Sequence, residues 1–195
     1  MSVQQYLIFN LRLQVLIKVF EHLKPEFLKI NPNHTIPTID DNGFILWESR
    51  PIMTYLWNQY STNDSLYPND PKKRAEVEKM LHFDIGTLYK SIAEYILPML
   101  LRGAPPDQEK EKVMRQKAKI LDNILQKQPY VAGQNLSLAD LSILAGITFP
   151  EVIDYDLVEF SNIQLWIKKM KVELPYYEEF ITQPIEDFKT TKANK

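Results

Sequence analysis

The chain has 195 residues, of which 45% are hydrophobic and 25% charged, and its formal net charge at pH 7 is −2. This composition predicts an ordinary globular protein of one large or two small domains, and the charge balance excludes a strongly basic binder of nucleic acid or anionic membranes. The sequence contains no cysteine, which excludes disulfides, thiolate metal sites and a cysteine nucleophile within it.

The first twenty residues are apolar without resembling a membrane span or a secretion signal. Asn10, Arg12, Gln14 and Lys18 interrupt the stretch, so it is too polar to cross a bilayer. It also lacks the basic start and the small-residue cleavage site of a signal peptide. We therefore expect a cytoplasmic protein, and the lack of acidic residues before Glu21 leaves a transit peptide as the alternative.

Residues 36–47 have the pattern of a β-hairpin. Residues 36–39 form a short apolar strand with a proline near its start, and Phe44–Trp47 is the returning strand. Between them lies Asn42-Gly43, the dipeptide most typical of a type I′ turn, because both residues tolerate the positive φ angles that this turn requires. The sequence therefore predicts two antiparallel strands joined by a tight turn.

The returning strand leads directly into a predicted helix. Pro51 suits the first helical turn, since its φ is preset and it lacks an amide proton, and Ser49 is then placed near the N-cap. The start of a helix attracts anions, and Glu48 beside it can hold an ammonium group. With Arg50 next to the hydroxyl, this junction fits a ligand that carries both groups, such as an α-amino acid.

After a polar linker at residues 61–64, followed by Pro68 and Pro71, the patterns are all helical. We expect Pro98 to kink or end the first of these helices and Pro129 to stop the second. A first stripe of apolar residues comprises Val77, Leu81, Leu88, Ile92 and Ile96. A second stripe comprises Val113, Met114, Ala118, Leu121, Ile124 and Leu125. The predicted domains are residues 1–62 and 70–188, with a polar, frayed tail at 189–195.

Ser137 and Asp140 have the spacing of a capping box at the start of a third helix. Such a box stabilises the start of a helix, and losing the cap typically costs about 1 kcal/mol, more if it is buried. The three histidines, His22, His34 and His82, are not spaced as metal ligands, so no metal site is expected.

Several of these segments together resemble the cytosolic glutathione transferases. Their sequences look like those of the insect delta class. The matching stretches are residues 21–32, 34–50, 64–68, 83–91 and 130–133, within a resemblance that covers roughly residues 21–185. The resemblance implies an α+β protein with a thioredoxin-like N-terminal domain, incomplete in its first strand and helix, and an all-helical C-terminal domain. It also implies a homodimer that uses glutathione as co-substrate and no other cofactor.

The activity implied is conjugation of glutathione to small hydrophobic electrophiles, in the detoxification of xenobiotics. Two alternatives stay open: a non-catalytic protein that binds glutathione and hydrophobic ligands, and a structural or interaction module. The implied glutathione contacts are His22, His34, Thr35, Ile36, Pro37, Glu48, Ser49 and Arg50. The implied electrophile pocket comprises Tyr89, Ile92, Tyr95, Leu97, Leu100 and Leu101.

By the resemblance, the bond before Pro37 is cis, and the Ile36 backbone pairs with the glutathione cysteine. His34, with His22 as a second candidate, binds the glycine carboxylate. Glu48 binds the γ-glutamyl ammonium. Ser49 binds the γ-glutamyl carboxylate, reinforced by Arg50.

The N-terminus departs from the family pattern. Relatives carry a catalytic serine in a Ser-x-Pro context within a βαβ unit, whereas only 21 residues precede His22 and none of them forms that motif. The serine hydroxyl would favour the glutathione thiolate, so its loss predicts lower turnover. The strand that is absent with it would leave neighbouring strands with unpaired N–H and C=O groups, which predicts a thermally weak first domain. Tyr6 and Ser2 are the candidate replacements, against the simpler interpretation that neither is catalytic. Two explanations fit this departure: the chain is a divergent member of the family, or its true start was replaced by an incorrect exon. We favour the second explanation.

Overall fold

The computed structural model describes residues 21–193. The chain divides into two compact units, Met1–Asn69 and Asp70–Lys195. The described part of the first unit carries the pattern predicted to bind an α-amino acid, and the regular structure of the second is helical. No helix within residues 21–193 is long and apolar enough to cross a bilayer.

The described part of the first unit is a β-hairpin preceded and followed by helices. A short 3₁₀ turn, Glu21–Leu23, leads into a one-turn helix, α1 (Pro25–Leu28). The hairpin consists of β1 (Thr38–Asp41) and β2 (Phe44–Trp47), and helix α2 (Ser49–Tyr60) follows. The strands are antiparallel, with Thr38 opposite Trp47 and Asp41 opposite Phe44. The first strand starts at Thr38, not at Ile36 as predicted, so Ile36 and Pro37 stay outside the ladder.

The turn of the hairpin has the predicted geometry. Asn42 and Gly43 adopt φ angles of +55° and +91°, as a type I′ turn requires. The Gly43 amide donates to Oδ1 of Asp40 at 2.7 Å, which fastens the turn to the first strand. The ring of Phe44 packs on Tyr55 of α2 with 5.0 Å between centroids, so the hairpin rests on the helix that follows it.

The described part of the second unit is helical throughout its regular structure. Its main helices are α3 (Pro71–Phe83), α4 (Tyr89–Arg102), α5 (Gln108–Leu125), α6 (Leu138–Ile147), α7 (Ser161–Glu173) and α8 (Gln183–Ala193). Shorter turns lie at Asp84–Leu88, Phe149–Ile153 and Glu178–Thr182.

The first apolar stripe belongs to two helices and not to one. A wide π turn, Asp84–Leu88, separates α3 from α4, and the Tyr89 amide bonds to the carbonyl of Asp84. Pro98 lies inside α4 and does not end it; the helix continues to Arg102 and closes at Gly103, which has a φ of +62°. Such a left-handed residue is typical of a helix C-terminus.

Helix α6 is the central helix of the second unit. Its buried residues are Leu138, Ala139, Asp140, Ser142, Ile143, Leu144, Gly146 and Ile147. A Cβ atom at Gly146 would lie 3.3 Å from Cδ2 of Tyr89, so glycine allows the close approach between this helix and the start of α4. At its own start, α6 carries the reciprocal bonds of a capping box between Ser137 and Asp140.

Asp140 holds more than the helix start. The Ser137 amide and hydroxyl donate to its Oδ2 at 2.9 and 2.8 Å. The Val131 amide and the indole of Trp166 donate to its Oδ1 at 2.9 and 3.2 Å. Burial raises the pKa of the Asp140 carboxyl, and these donors oppose the rise. One fully buried carboxylate therefore joins α6, α7 and the loop before α6.

The last helix extends beyond the residue at which the sequence suggests a frayed tail. Helix α8 runs to Ala193, and Lys189 within it forms an ion pair with Asp154 at 2.5 Å. Just before it, Lys171 of α7 pairs with Glu178 at 3.4 Å. A lysine-rich sequence is compatible with this helix, because Lys189 pairs with a carboxylate at its surface.

Candidate functional site

The loop before β1 presents an exposed backbone edge at Ile36. The Ile36–Pro37 peptide bond is cis, as the resemblance implies. Ile36 is 49% exposed, and within residues 21–193 neither its N–H nor its C=O forms a hydrogen bond. An exposed residue with both backbone groups available can pair with an extended peptide as one rung of an antiparallel sheet.

A buried asparagine holds this loop in shape. The side-chain nitrogen of Asn31, Nδ2, donates to the carbonyl of Thr35 and to Oγ1 of Thr38, each at 3.0 Å. Its Oδ1 accepts from the Asn33 amide at 2.9 Å, and its own carbonyl accepts from the His34 amide at 2.9 Å. Asn31 has no exposed surface, so its bonds form away from competing water. The residue fixes the segment that carries His34 and Ile36.

Replacing this asparagine tests its role. We expect Asn31→Ala to lower the free energy of unfolding of the first unit by about 2–3 kcal/mol, because it leaves buried groups of the loop without partners. Asn33→Ala, at an exposed side chain, is the matched control and should change it by less than about 0.5 kcal/mol. Hydrogen exchange of peptides covering residues 31–38 measures both. Equal protection in the two variants would contradict the assignment.

The second part of the site is the junction between β2 and α2. Glu48 has a φ of +73°, uncommon for a side chain with a Cβ atom, and it is the N-cap residue of the helix. Ser49, predicted near the N-cap, is the first helical residue. Arg50 donates from Nη1 to the Ser49 hydroxyl at 2.8 Å. The junction places a carboxylate, a hydroxyl and a guanidinium in sequence at a helix start.

The strand register brings the two parts together. Thr38 and Trp47 form the ladder pair at the end opposite to the turn. Cα atoms of directly opposed residues in an antiparallel pair lie about 4.5–5.5 Å apart. Pro37 precedes one of these residues and Glu48 follows the other, so the exposed edge at Ile36 and the start of α2 adjoin the same end of the hairpin.

A carboxylate at the other end of the hairpin ties it to α2. Oδ2 of Asp41 accepts from the hydroxyls of Tyr55 and Tyr60 at 2.6 and 2.5 Å. These two bonds hold the pKa of the Asp41 carboxyl below its usual value. The bond between Tyr55 and Asp41 also raises the pKa of the Tyr55 hydroxyl. Because Tyr55 and Tyr60 belong to the helix whose first turn carries Ser49, the tie sets the position of that turn relative to the strands.

The lowered pKa of Asp41 predicts acid sensitivity. A carboxyl whose pKa is lower in the folded state stabilises the fold above its unfolded value, here 3.8, and loses that contribution as the pH falls through the folded pKa. We therefore expect the thermal midpoint of Asp41→Asn to fall less steeply at acid pH than that of the unaltered protein, which would flatten the acid limb of the plot of midpoint against pH. A Tyr55→Phe/Tyr60→Phe double variant should flatten it equally. An unchanged acid limb in Asp41→Asn would rule out the tie.

The histidines have different surroundings. His34 is exposed and has a φ of +44°, next to Ile36 in the loop that Asn31 holds. His22 lies in the 3₁₀ turn before α1 and is half-buried. His82 is exposed on α3, with Nδ1 2.8 Å from the carbonyl of Glu78. In the described part of the chain, no group of three histidine or acidic side chains is arranged to hold a metal ion. Tyr6 and Ser2 lie outside the described residues.

Comparison with known families shows what kind of protein carries this site. The model of the glutathione S-transferase N-terminal domain matches residues 10–64, and that of the C-terminal domain matches residues 88–172. The chain belongs to the glutathione S-transferase family. Glutathione S-transferase D6 of Drosophila melanogaster is 46% identical over 167 residues, which is 86% of this chain and 78% of that relative.

Solved structures of the family agree on the fold. A delta-class glutathione transferase of Nilaparvata lugens superposes with a TM-score of 0.83 at 48% identity, covering 89% of this chain and 82% of that one. Glutathione transferase BmGSTD1 of Bombyx mori gives a TM-score of 0.83 at 43% identity, covering 87% and 80%. The predicted delta-class resemblance is confirmed, as is the fold of a thioredoxin-like domain followed by a helical domain.

The residues that the family resemblance suggests for an electrophile pocket divide into three groups on α4. Ile92 and Tyr95 are only 0% and 5% exposed, so they are core residues of the helical unit. The reason is the helical spacing, which points Ile92 inward together with Leu88 and Ile96. Leu101 is 73% exposed. Half-buried members are Tyr89, Leu97 and Leu100.

Tyr95 joins a polar cluster that the sequence did not suggest. Its ring packs edge-on against Tyr155, with 5.6 Å between centroids. The Tyr155 hydroxyl donates to Glu111 at 2.7 Å and accepts from Arg115 at 2.6 Å, while Arg115 also pairs with Glu159. Burial and the bond to Glu111 raise the pKa of Tyr155 to about 12. The cluster ties α5 to the segment before α7, a structural role.

Proposed function

We propose that the protein is a glutathione transferase in which the hairpin end of the first unit binds glutathione. Ile36 carries this proposal, because the residue is exposed and its N–H and C=O form no hydrogen bond within residues 21–193. Glutathione is a peptide, so its cysteine residue can donate to and accept from Ile36 as a short antiparallel rung. That pairing would fix the sulfur relative to the protein backbone.

The α-amino-acid end of glutathione is assigned to the junction at the start of α2. Glu48 accepts from the ammonium, and Ser49 donates to the carboxylate through its hydroxyl and its first-turn amide. Arg50 supports this assignment, because it holds the Ser49 hydroxyl at 2.8 Å and adds positive charge near the carboxylate. The helix start favours the same anion.

The glycine end is assigned to the loop side of the site. His34 is exposed next to Thr35 and Ile36, within reach of the residue that follows the paired cysteine. His22 is the second candidate for this carboxylate, half-buried before α1. The backbone conformation at His34 is held by the bond from its amide to Asn31.

The reaction proposed is attack of the glutathione thiolate on a small hydrophobic electrophile. The thiol loses its proton, the sulfur forms a bond to carbon, and the displaced group leaves with the electron pair. The protein contributes positioning of the sulfur and a lower thiol pKa, with Tyr6 as the candidate hydroxyl. The outer residues of α4, including Leu97 and Leu100, are proposed as apolar contacts for the electrophile. Glutathione is the co-substrate, and no resident cofactor is proposed.

Two measurements test this function. The purified chain should bind to immobilised glutathione and be eluted by free glutathione, and it should conjugate glutathione to a chlorinated nitrobenzene above the uncatalysed rate. Binding without conjugation would reduce the protein to a glutathione-binding role. Failure to bind would overturn the site as well.

We propose a homodimer in the cytosol, as is typical of the family, with α3 contributing to the interface. The buried residues of α3 are Val77, Met80 and Leu81, and its remaining faces are mostly charged. Light scattering of the purified chain tests the dimer, since a monomer mass at micromolar concentration would contradict it.

A further inference from the structure

The turn of the hairpin combines the features that make an asparagine chemically labile. Asn42-Gly43 is the one Asn-Gly pair in the sequence, and both residues are exposed. Gly43 has no side chain to shield its amide nitrogen, and no heavy atom lies within 4 Å of the position a Cβ atom would take. No side chain at position 43 therefore hinders the approach of the Asn42 side chain to the nitrogen that follows it.

Two carboxylates contact the groups that would react. The Gly43 amide donates to Oδ1 of Asp40 at 2.7 Å, so a proton acceptor already touches that nitrogen. The Asn42 side-chain nitrogen donates to Oδ1 of Asp41 at 3.0 Å, which holds the amide beside the turn. A positioned base within hydrogen-bonding distance is the requirement for assisted proton transfer.

We propose that Asn42 is a site of spontaneous deamidation and that Asp40 assists it. The Gly43 nitrogen gives its proton to Asp40 and forms a bond to Cγ of Asn42, and the tetrahedral carbon then expels Nδ2 as ammonia, taking a proton from Asp40. The product is a five-membered succinimide. Water adds to either of its carbonyl carbons, giving aspartate or isoaspartate at position 42. The net change is one water consumed and one ammonia released.

The isoaspartate product alters the backbone of the turn. It adds a methylene group to the chain between positions 42 and 43, so a two-residue turn no longer matches the pairing of Asp41 with Phe44. A new carboxylate also lies beside Asp40 and Asp41. Since Asp41 ties the hairpin to Tyr55 and Tyr60, we infer that isoaspartate lowers the affinity for glutathione, a consequence that rests on the proposed function.

Ageing the full chain tests the chemistry. The protein is incubated at neutral pH and physiological temperature, and peptide masses are followed over time; each converted site gains about one mass unit. Asn58 and Asn123, both exposed but followed by Gln59 and Ile124, are internal references in the same digest. Conversion at Asn42 should precede conversion at both references. Conversion no faster than at the references would overturn the proposal.

A variant tests the part played by the carboxylate. Asp40→Ala should slow conversion by roughly tenfold, less than an enzymatic base contributes because the turn is open to water. Hydrogen exchange of residues 38–47 checks that the hairpin is retained. If the hairpin is retained, an equal or faster rate in Asp40→Ala would overturn assistance by Asp40. If the hairpin is lost in Asp40→Ala, the measurement is repeated with Asp40→Asn, and the same outcomes apply.

The functional consequence has its own comparison. Aged protein enriched in isoaspartate should bind immobilised glutathione more weakly than Asn42→Asp, which adds the charge without lengthening the backbone. Equal retention of the two would overturn the consequence while leaving the deamidation site intact. If fresh protein does not bind glutathione at all, the proposed function fails, and the mass measurement still decides the chemistry.

Discussion

Glu48→Ala should raise the dissociation constant for glutathione by roughly 10- to 100-fold, the equivalent of one lost hydrogen bond between charged groups. The carboxylate is exposed at the start of α2, next to Ser49 and at the same end of the hairpin as Ile36. Its loss removes the acceptor proposed for the γ-glutamyl ammonium and leaves the rest of the junction in place. Isothermal titration with glutathione measures the change directly.

Two further variants give the contrast that makes this result specific. Glu26→Ala removes an exposed carboxylate from α1 of the same unit and should leave affinity unchanged. Tyr6→Phe should also leave binding unchanged, and any effect it has should appear in turnover. If Glu48→Ala and Tyr6→Phe weakened binding equally, the assignment of the γ-glutamyl end would be wrong.

Asp140→Ala should destabilise the helical unit by about 4 kcal/mol, because each buried donor left without an acceptor costs about 1–3 kcal/mol. The donors are the amides of Val131 and Ser137, the Ser137 hydroxyl and the indole of Trp166. A helix cap alone would cost about 1 kcal/mol. The larger value reflects the position of this carboxylate, which joins α6 to α7 and to the preceding loop.

A second cap in the same unit is the matched control. Asp70 caps α3 by accepting from the Lys73 amide at 2.9 Å, but it is exposed. Asp70→Ala should therefore cost only about 1 kcal/mol. Denaturant unfolding followed by far-UV circular dichroism compares the two variants, since the second unit holds most of the helices. Similar losses in both would mean that Asp140 acts only as a cap.

Features with a short-range signature were predictable from the sequence. Asn42-Gly43 gave the turn of the hairpin because positive φ angles are a property of those residue types. The Ser137 and Asp140 box was equally local, with its partners three residues apart. The cis bond before Pro37 came from the family resemblance, since an Ile-Pro sequence alone favours trans.

Contacts between residues distant in sequence were not predictable. Asp41 bonds to tyrosines 14 and 19 residues further on, a spacing with no periodic signal. No sequence pattern singled out Asn31, and only the folded loop shows that its side chain is buried and bonded to Thr35 and Thr38. Helical spacing did indicate the buried face of α4, since Leu88, Ile92 and Ile96 of the predicted apolar stripe are all in the core.

The π turn at Asp84–Leu88 has a consequence for how this protein tolerates changes in length. An α-helix turns by about 100° per residue, so in one continuous helix Ile96 would lie about 100° around the axis from Val77. That angle corresponds to one residue more than a whole number of turns. The wide turn absorbs that residue, so both side chains reach the core. Deleting the exposed Gly86 should leave a regular helix with the same buried stripe. The same deletion inside α4 would rotate every later residue of that helix by about 100°, so the π turn is a position at which the chain can lose one residue without losing its buried stripe.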